Sequence, residues 1–105
     1  VKVTVPLERV LRAFLDDPSE PRYGYDLMKA ASLQSGTLYP LLARLEHQKL
    51  VASAWETPQQ EGQRPRKYYR LTSEGIRVAR LEIARAARQQ RAPGHPGRLA
   101  PGSLG

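Results

Sequence analysis

Between Ser35 and Leu50, Leu38, Leu41, Leu42 and Leu45 recur at i, i+3, i+4 and i+7, one stripe of a helix. Directly opposite lie Gly36, Pro40, Ala43 and His47, with Thr37 and Arg44 along one border of this bare strip and Tyr39 along the other. A surface helix normally carries Glu, Lys and Gln on its outer face. A strip that is small at its centre and hydrogen-bonding at its edges instead suits close approach to a rigid surface, and the major groove of DNA is the leading candidate.

The same period marks an earlier helix over about Pro6–Asp16, where Leu7, Val10, Leu11, Phe14 and Leu15 share a face and Thr4 stands ready to cap it. Asp17-Pro18 ends that helix, and the segment from Ser19 to Tyr23 reads as a loop. A short helix follows over Gly24–Ala31, burying Leu27, Met28 and Ala31. Only Ser32–Ser35 separates it from the leucine-striped helix, a helix-turn-helix spacing in which Leu33 pins the turn and Ser35 serves as N-cap. Pro40 falls early enough to be tolerated, at the loss of one backbone donor.

After Leu50 the pattern changes to two short aromatic runs, 51–56 and 67–71, which predict a pair of strands. The connection between them, 57–66, has no apolar side chain and is longer than an ordinary hairpin loop. Thr72 caps a last helix running to about Gln90, with apolar positions on two sides. From Ala92 the chain is rich in Pro and Gly, and it is expected to be disordered. The elements describe a mainly α chain with a small β-hairpin, a winged helix-turn-helix over 1–72, a C-terminal helix over 73–91 and a tail over 92–105.

Charge sharpens this picture. The 105-residue chain carries a formal +7, unevenly spread: eleven Lys/Arg oppose nine Asp/Glu through residue 75, and six Arg oppose Glu82 alone after it. Such a basic balance favours nucleic acid or an anionic surface. There is no cysteine, hence no disulfide, thiolate metal site or redox site. His47 and His95 are the only histidines, and no paired carboxylates, metal-spaced cluster or phosphate-cradling loop is present, so no enzyme, cofactor or metal is expected. No stretch reads as a signal peptide or a membrane span, and the expected compartment is the cytoplasm.

Several motifs in order resemble the PadR family of bacterial transcriptional regulators. They are Tyr23-Gly24-Tyr25, the run Gly36-Thr37-Leu38-Tyr39-Pro40, and the pair Leu45-Glu46 with Leu50. Arg64-Pro65-Arg66-Lys67-Tyr68-Tyr69 and Leu71-Thr72-Ser73-Glu74-Gly75 complete the series. The resemblance spans roughly residues 6–90 and implies a compact member with a single C-terminal helix. It departs at the link between the second and third helices, which is short, and at Gln48-Lys49, where relatives carry a glycine C-cap.

The resemblance implies that the third helix enters the major groove. Gln34, Ser35, Gly36, Thr37, Tyr39 and Arg44 are then its candidate contacts: first-turn amides and Ser35 for a phosphate, the Tyr39 hydroxyl for a phosphate or base edge, and Arg44 for a phosphate or guanine. The bland alternatives are a Tyr39 ring packed in the core and a solvated Arg44. Gln63, Arg64, Arg66 and Lys67 form a cationic wing beside Gly62 and Pro65, set over the backbone or in the minor groove. Trp55, Tyr68 and Tyr69 read as core or half-core residues of the hairpin. Pairing of the last helix across a two-fold axis, implied by the family, would use Ile76, Ala79, Leu81, Ile83 and Ala87. The expected protein is a homodimeric repressor on a palindromic DNA operator, with a small-molecule or protein effector as a further partner. The rival expectation is a winged-helix accessory module that binds proteins without reading DNA.

Overall fold

The computed structural model describes residues 3–90. Its order is α1 (Val5–Leu15), β1 (Arg22–Tyr23), α2 (Gly24–Ala31), α3 (Ser35–His47), β2 (Val51–Glu56), β3 (Arg66–Leu71) and α4 (Ser73–Gln90). The tail expected over 92–105 lies outside the described residues.

Each helix forms where the sequence provides both a face to bury and an end to close. Thr4 caps α1, its hydroxyl accepting from Leu7 N at 3.3 Å, with Pro6 in the first turn where no donor is needed. Leu7, Val10, Leu11 and Phe14 of α1 meet Leu27 and Ala31 of α2 and Leu38, Leu42 and Leu45 of α3 in one core, closed below by Leu50, Val51, Tyr69, Leu71 and Ala79.

The third helix is shorter than its sequence pattern suggests. It ends at His47, not Leu50, because Lys49 turns left-handed at φ 66°. Leu50 N then donates to Leu45 O and Lys49 N to Glu46 O, the paired bonds of a Schellman close. The same closure is thus reached without the usual glycine. Ser32 does likewise at φ 56°, with Leu33 N on Met28 O and Ser32 N on Lys29 O, and this turns the chain from α2 into α3.

The sheet has three strands, in the order β1-β3-β2, all antiparallel. The expected loop at Ser19–Tyr23 therefore needs correction. Arg22 and Tyr23 pair with Tyr69 and Tyr68 and cover the outer edge of the hairpin. Within the hairpin, Val51 pairs with Leu71, Trp55 with Lys67 and Glu56 with Arg66, so β3 begins one residue earlier than its sequence pattern indicates.

Thr72 joins three elements. Its hydroxyl accepts from Gly75 N at 2.9 Å to cap α4 and donates to Lys49 O at 2.8 Å, while its amide donates to Leu50 O at 3.0 Å. Ser53 of β2 donates to Glu46 of α3 at 2.6 Å, which fixes the sheet against the third helix.

Candidate nucleic-acid interface

The outer strip of α3 is open as the leucine pattern requires. Gln34, Ser35, Gly36, Thr37, Tyr39, Pro40, Ala43, Arg44 and His47 are all exposed, while Leu38, Leu42 and Leu45 are buried beneath them. Leu41 is only half-buried at the edge of the stripe.

Ser35 is not the cap. Gln34 holds the extended N-cap position and makes no side-chain capping bond, which leaves Ser35 as the first helical residue. Gln34 O accepts from Thr37 N and Leu38 N. Among the described residues the Ser35 and Gly36 amides have no partner, and they lie at the positive end of the helix dipole. Pro40 has no N–H to offer the Gly36 carbonyl four residues back, so that helical bond is missing. The amino end of α3 thus presents unpaired backbone donors on a surface without bulk.

Tyr39 is placed between the two alternatives. Its ring is part exposed and borders a cleft of about 360 Å³ with Tyr23, Gly24, Tyr25, Trp55, Arg66, Lys67 and Tyr69. Its hydroxyl lies directly over Gly24, where a Cβ would come within 2.2 Å of it. Tyr69, buried under the same cleft, has its phenol pKa raised by burial first and then by Tyr39 and Glu46.

The structure divides the wing cations by what already holds them. Arg66 makes two bonds to Glu56, from Nε at 3.2 Å and from the terminal nitrogen at 3.1 Å, and its guanidinium stacks 4.2 Å from the Tyr23 ring centre. Tyr23 donates its hydroxyl to the other Glu56 oxygen. That bond is the main reason the Glu56 carboxyl is held below its usual range, with Arg66 adding to it. Lys67 sits over the Trp55 and Tyr69 rings at 5.7 and 5.6 Å. Gln63 accepts from Gln59 N at 2.6 Å and Gln60 N at 3.3 Å, closing the wing tip beside Gly62 at φ 83°. Of the candidate cations, Arg44 and Arg64 are exposed and form no ion pair among the described residues.

Three expectations change at the hairpin and α4. Trp55 is not a core residue: it is 65% exposed near the end of β2, at the rim of the cleft it shares with Tyr39. Ala79 is 0% exposed and belongs to the protomer's own core, so it is not available to a partner. Ile76 and Ile83 pack against that core as well, with Val78 beside them, and Ala87 is half-buried. Of the five α4 candidates only Leu81, at 44% exposure, projects outward. The apolar surplus that the sequence pattern assigned to α4 is largely consumed within one protomer.

Two features had no readable signal in the sequence. The Glu56–Arg66–Tyr23 cluster joins residues up to 43 positions apart and depends on strand register. Glu82, only 9% exposed, lies on the buried line of α4 with Gly75 and Ala79, and among the described residues its one ion pair is to Arg85 at 3.7 Å.

Comparison with known proteins agrees with this geometry. The family model described as the transcriptional regulator PadR-like family matches residues 13–81. A PadR family transcriptional regulator from Eggerthella lenta is 36% identical over 91% of this chain and 88% of its own, with a TM-score of 0.71. A PadR-like transcription factor from Bacteroides fragilis is 34% identical over 85% and 87%, with a TM-score of 0.65. BpsR of Bordetella bronchiseptica, whose DNA binding is regulated by 6-hydroxynicotinic acid, is 26% identical over 96% of this chain and 70% of its own, with a TM-score of 0.66. No curated protein sequence matches the chain. Among the described residues no helix is long and apolar enough to cross a membrane. With two thirds of its length inside the family model and its three-helix, winged arrangement shared with those regulators, the chain belongs to the PadR-like family of DNA-binding transcriptional regulators.

Proposed function

We propose that the protein is a cytoplasmic homodimeric repressor that places α3 in the major groove of a palindromic operator and sets its wing on the flanking backbone. The observation that carries this reading is the uncapped amino end of α3. Among the described residues its Ser35 and Gly36 amides are open beside Thr37, Tyr39 and an Arg44 without an ion pair, and Arg64, likewise without one, stands on the neighbouring wing. In this reading the backbone amides and Arg64 fix register on phosphates, while Thr37, Tyr39 and Arg44 meet base edges. Gln34 and Gln63 are peripheral, and Arg66 and Lys67 act mainly by shaping the wing. Two such helices on a two-fold axis address half-sites about 34 Å apart. Control of DNA binding by a small molecule in BpsR makes a small-molecule effector the leading further partner.

Selection from a random DNA pool is expected to return a palindrome with one-turn spacing. On that sequence, Arg44→Ala with Arg64→Ala is expected to weaken binding by about a hundredfold at moderate salt and to flatten the salt slope by about one to two units. An unchanged slope in a folded variant overturns the assignment of these two residues. Absence of any selected sequence would favour an accessory module instead.

Glu56 supplies a second prediction. Because it neutralises Arg66, Glu56→Gln is expected to release that guanidinium and steepen the salt slope on random DNA by about one unit. Lowering pH acts in the same direction. The folded Glu56 pKa is depressed, so the cluster's contribution is present above the ordinary carboxylate range and is lost as pH falls through the lower folded value. If the slope does not move, the Tyr23 ring alone is enough to retain Arg66.

A further inference from the structure

On the α1–α2 side of the domain, a cleft of about 540 Å³ is lined by Arg9, Arg12, Ala13, Asp16, Arg22, Ala30, Ala31 and Ser32. Three guanidinium groups face one carboxylate there. Arg22 comes from β1, and its side chain is 19% exposed. Its Nε is closed off from solvent and has no hydrogen-bond partner among the described residues. The nearest carboxylate oxygen, on an outward-lying Asp16, is 4.0 Å from its terminal nitrogen, beyond hydrogen-bond reach. Arg12 is shared with Glu8 at 2.9 Å, and Arg9 has no ion-pair partner among the described residues.

A buried guanidinium donor left unpaired is costly, and an acceptor brought into the cleft would relieve that cost. The carboxyl ends of α1 and α2 are the obvious internal source, since Asp16 closes one helix and Ser32 the other. The Arg22 side chain makes no hydrogen bond to those carbonyls or to any other group among the described residues. Counting lining residues only, the cleft carries two uncompensated positive charges. Planar guanidinium forks match tetrahedral oxyanions, and the space exceeds what a bare ion fills.

We propose that the α1–α2 cleft is a binding site for a compact phosphate-class oxyanion, with Arg22 beneath it and Arg9 and Arg12 at its mouth. The phosphate belongs either to a small phosphorylated molecule or to the backbone of bound DNA, because Ser32 brings the cleft to the edge of the α2–α3 turn. The site itself does not depend on the operator reading above.

Calorimetric titration of the full chain with inorganic phosphate, against chloride at matched ionic strength, tests this directly. One phosphate per protomer is expected, with Arg9→Ala weakening it about tenfold and Arg22→Met, which keeps the apolar stem, weakening it more. Absence of a one-to-one isotherm, or one that both variants leave unchanged, overturns the proposal. Should Arg22→Met fail to fold, Arg9→Ala, on an exposed helix position, still decides. Random-sequence duplex DNA separates the sources. A salt slope lower by about one in Arg9→Ala assigns the phosphate to the DNA backbone. An unchanged slope, with phosphate still bound by the wild type, assigns it to a free molecule. Failure of the wild type to bind DNA at all would count against the regulator reading while leaving the phosphate titration intact.

Discussion

Gly75→Ala is expected to lower stability by about 3 kcal/mol, read as a fall in the urea midpoint at unchanged slope. A Cβ at Gly75 would stand 1.9 Å from the Leu50 carbonyl oxygen and 2.8 Å from its carbon. That carbonyl cannot withdraw cheaply. It accepts from Thr72 N at 3.0 Å, and the Leu50 amide is itself held by Leu45 O at 2.9 Å in the close of α3. Relief therefore requires α4 to lift from the end of α3, which breaks the Thr72 junction and uncovers Ala79. Gly24 is the natural control, because a Cβ there meets Tyr39 Oη at 2.2 Å. The obstacle in that case is the far end of a part-exposed side chain, so Gly24→Ala displaces Tyr39 and costs far less stability. A Gly75→Ala loss below about 1 kcal/mol would mean that α4 docks loosely enough to shift aside.

The contrast between these glycines shows what the sequence could and could not convey. Helical period and capping residues are local signals, so α1, α2, the body of α3, the hairpin and α4 were legible from Leu, Thr and Pro positions, whereas the cap of α3 fell on Gln34 and not on Ser35. The end of α3 was misplaced because Lys49 adopts a conformation that its residue type disfavours, and tertiary bonds at Leu50 and Thr72 make that conformation worthwhile. Strand β1 was missed because two residues have no period, and their partners lie more than forty positions away. The same distinction runs through the candidate interface. That Arg44 and Arg64 lie on open surfaces was readable, but that Arg66 is already neutralised depends on cross-strand register with Glu56. Trp55 shows the limit of residue type as a guide to burial: an aromatic strand residue is core only where an element covers it, and this one is left 65% exposed.

In the homodimer proposed above, Leu81→Asp is expected to raise the dimer dissociation constant about a thousandfold, seen by sedimentation, and to reduce operator binding to the level of a single half-site. In an isologous pair each substitution acts twice. Two apolar contacts are lost and two like charges are brought toward the axis, together worth roughly 4 kcal/mol. Leu81 is the residue for this test because it alone among the α4 candidates extends clear of its own domain. Altering Ile76, Ala79 or Ile83 would damage the protomer core before any partner was affected. For the same reason thermal unfolding of dilute Leu81→Asp protein should match that of dilute wild type, which separates loss of pairing from loss of fold. If the variant remains dimeric, the two-fold axis does not pass along this side of α4. The pairing surface must then be sought on α1, where Val5 is the exposed apolar residue. If the variant becomes monomeric yet keeps full operator affinity, α3 and the wing of one protomer suffice for recognition, and the palindrome is not required.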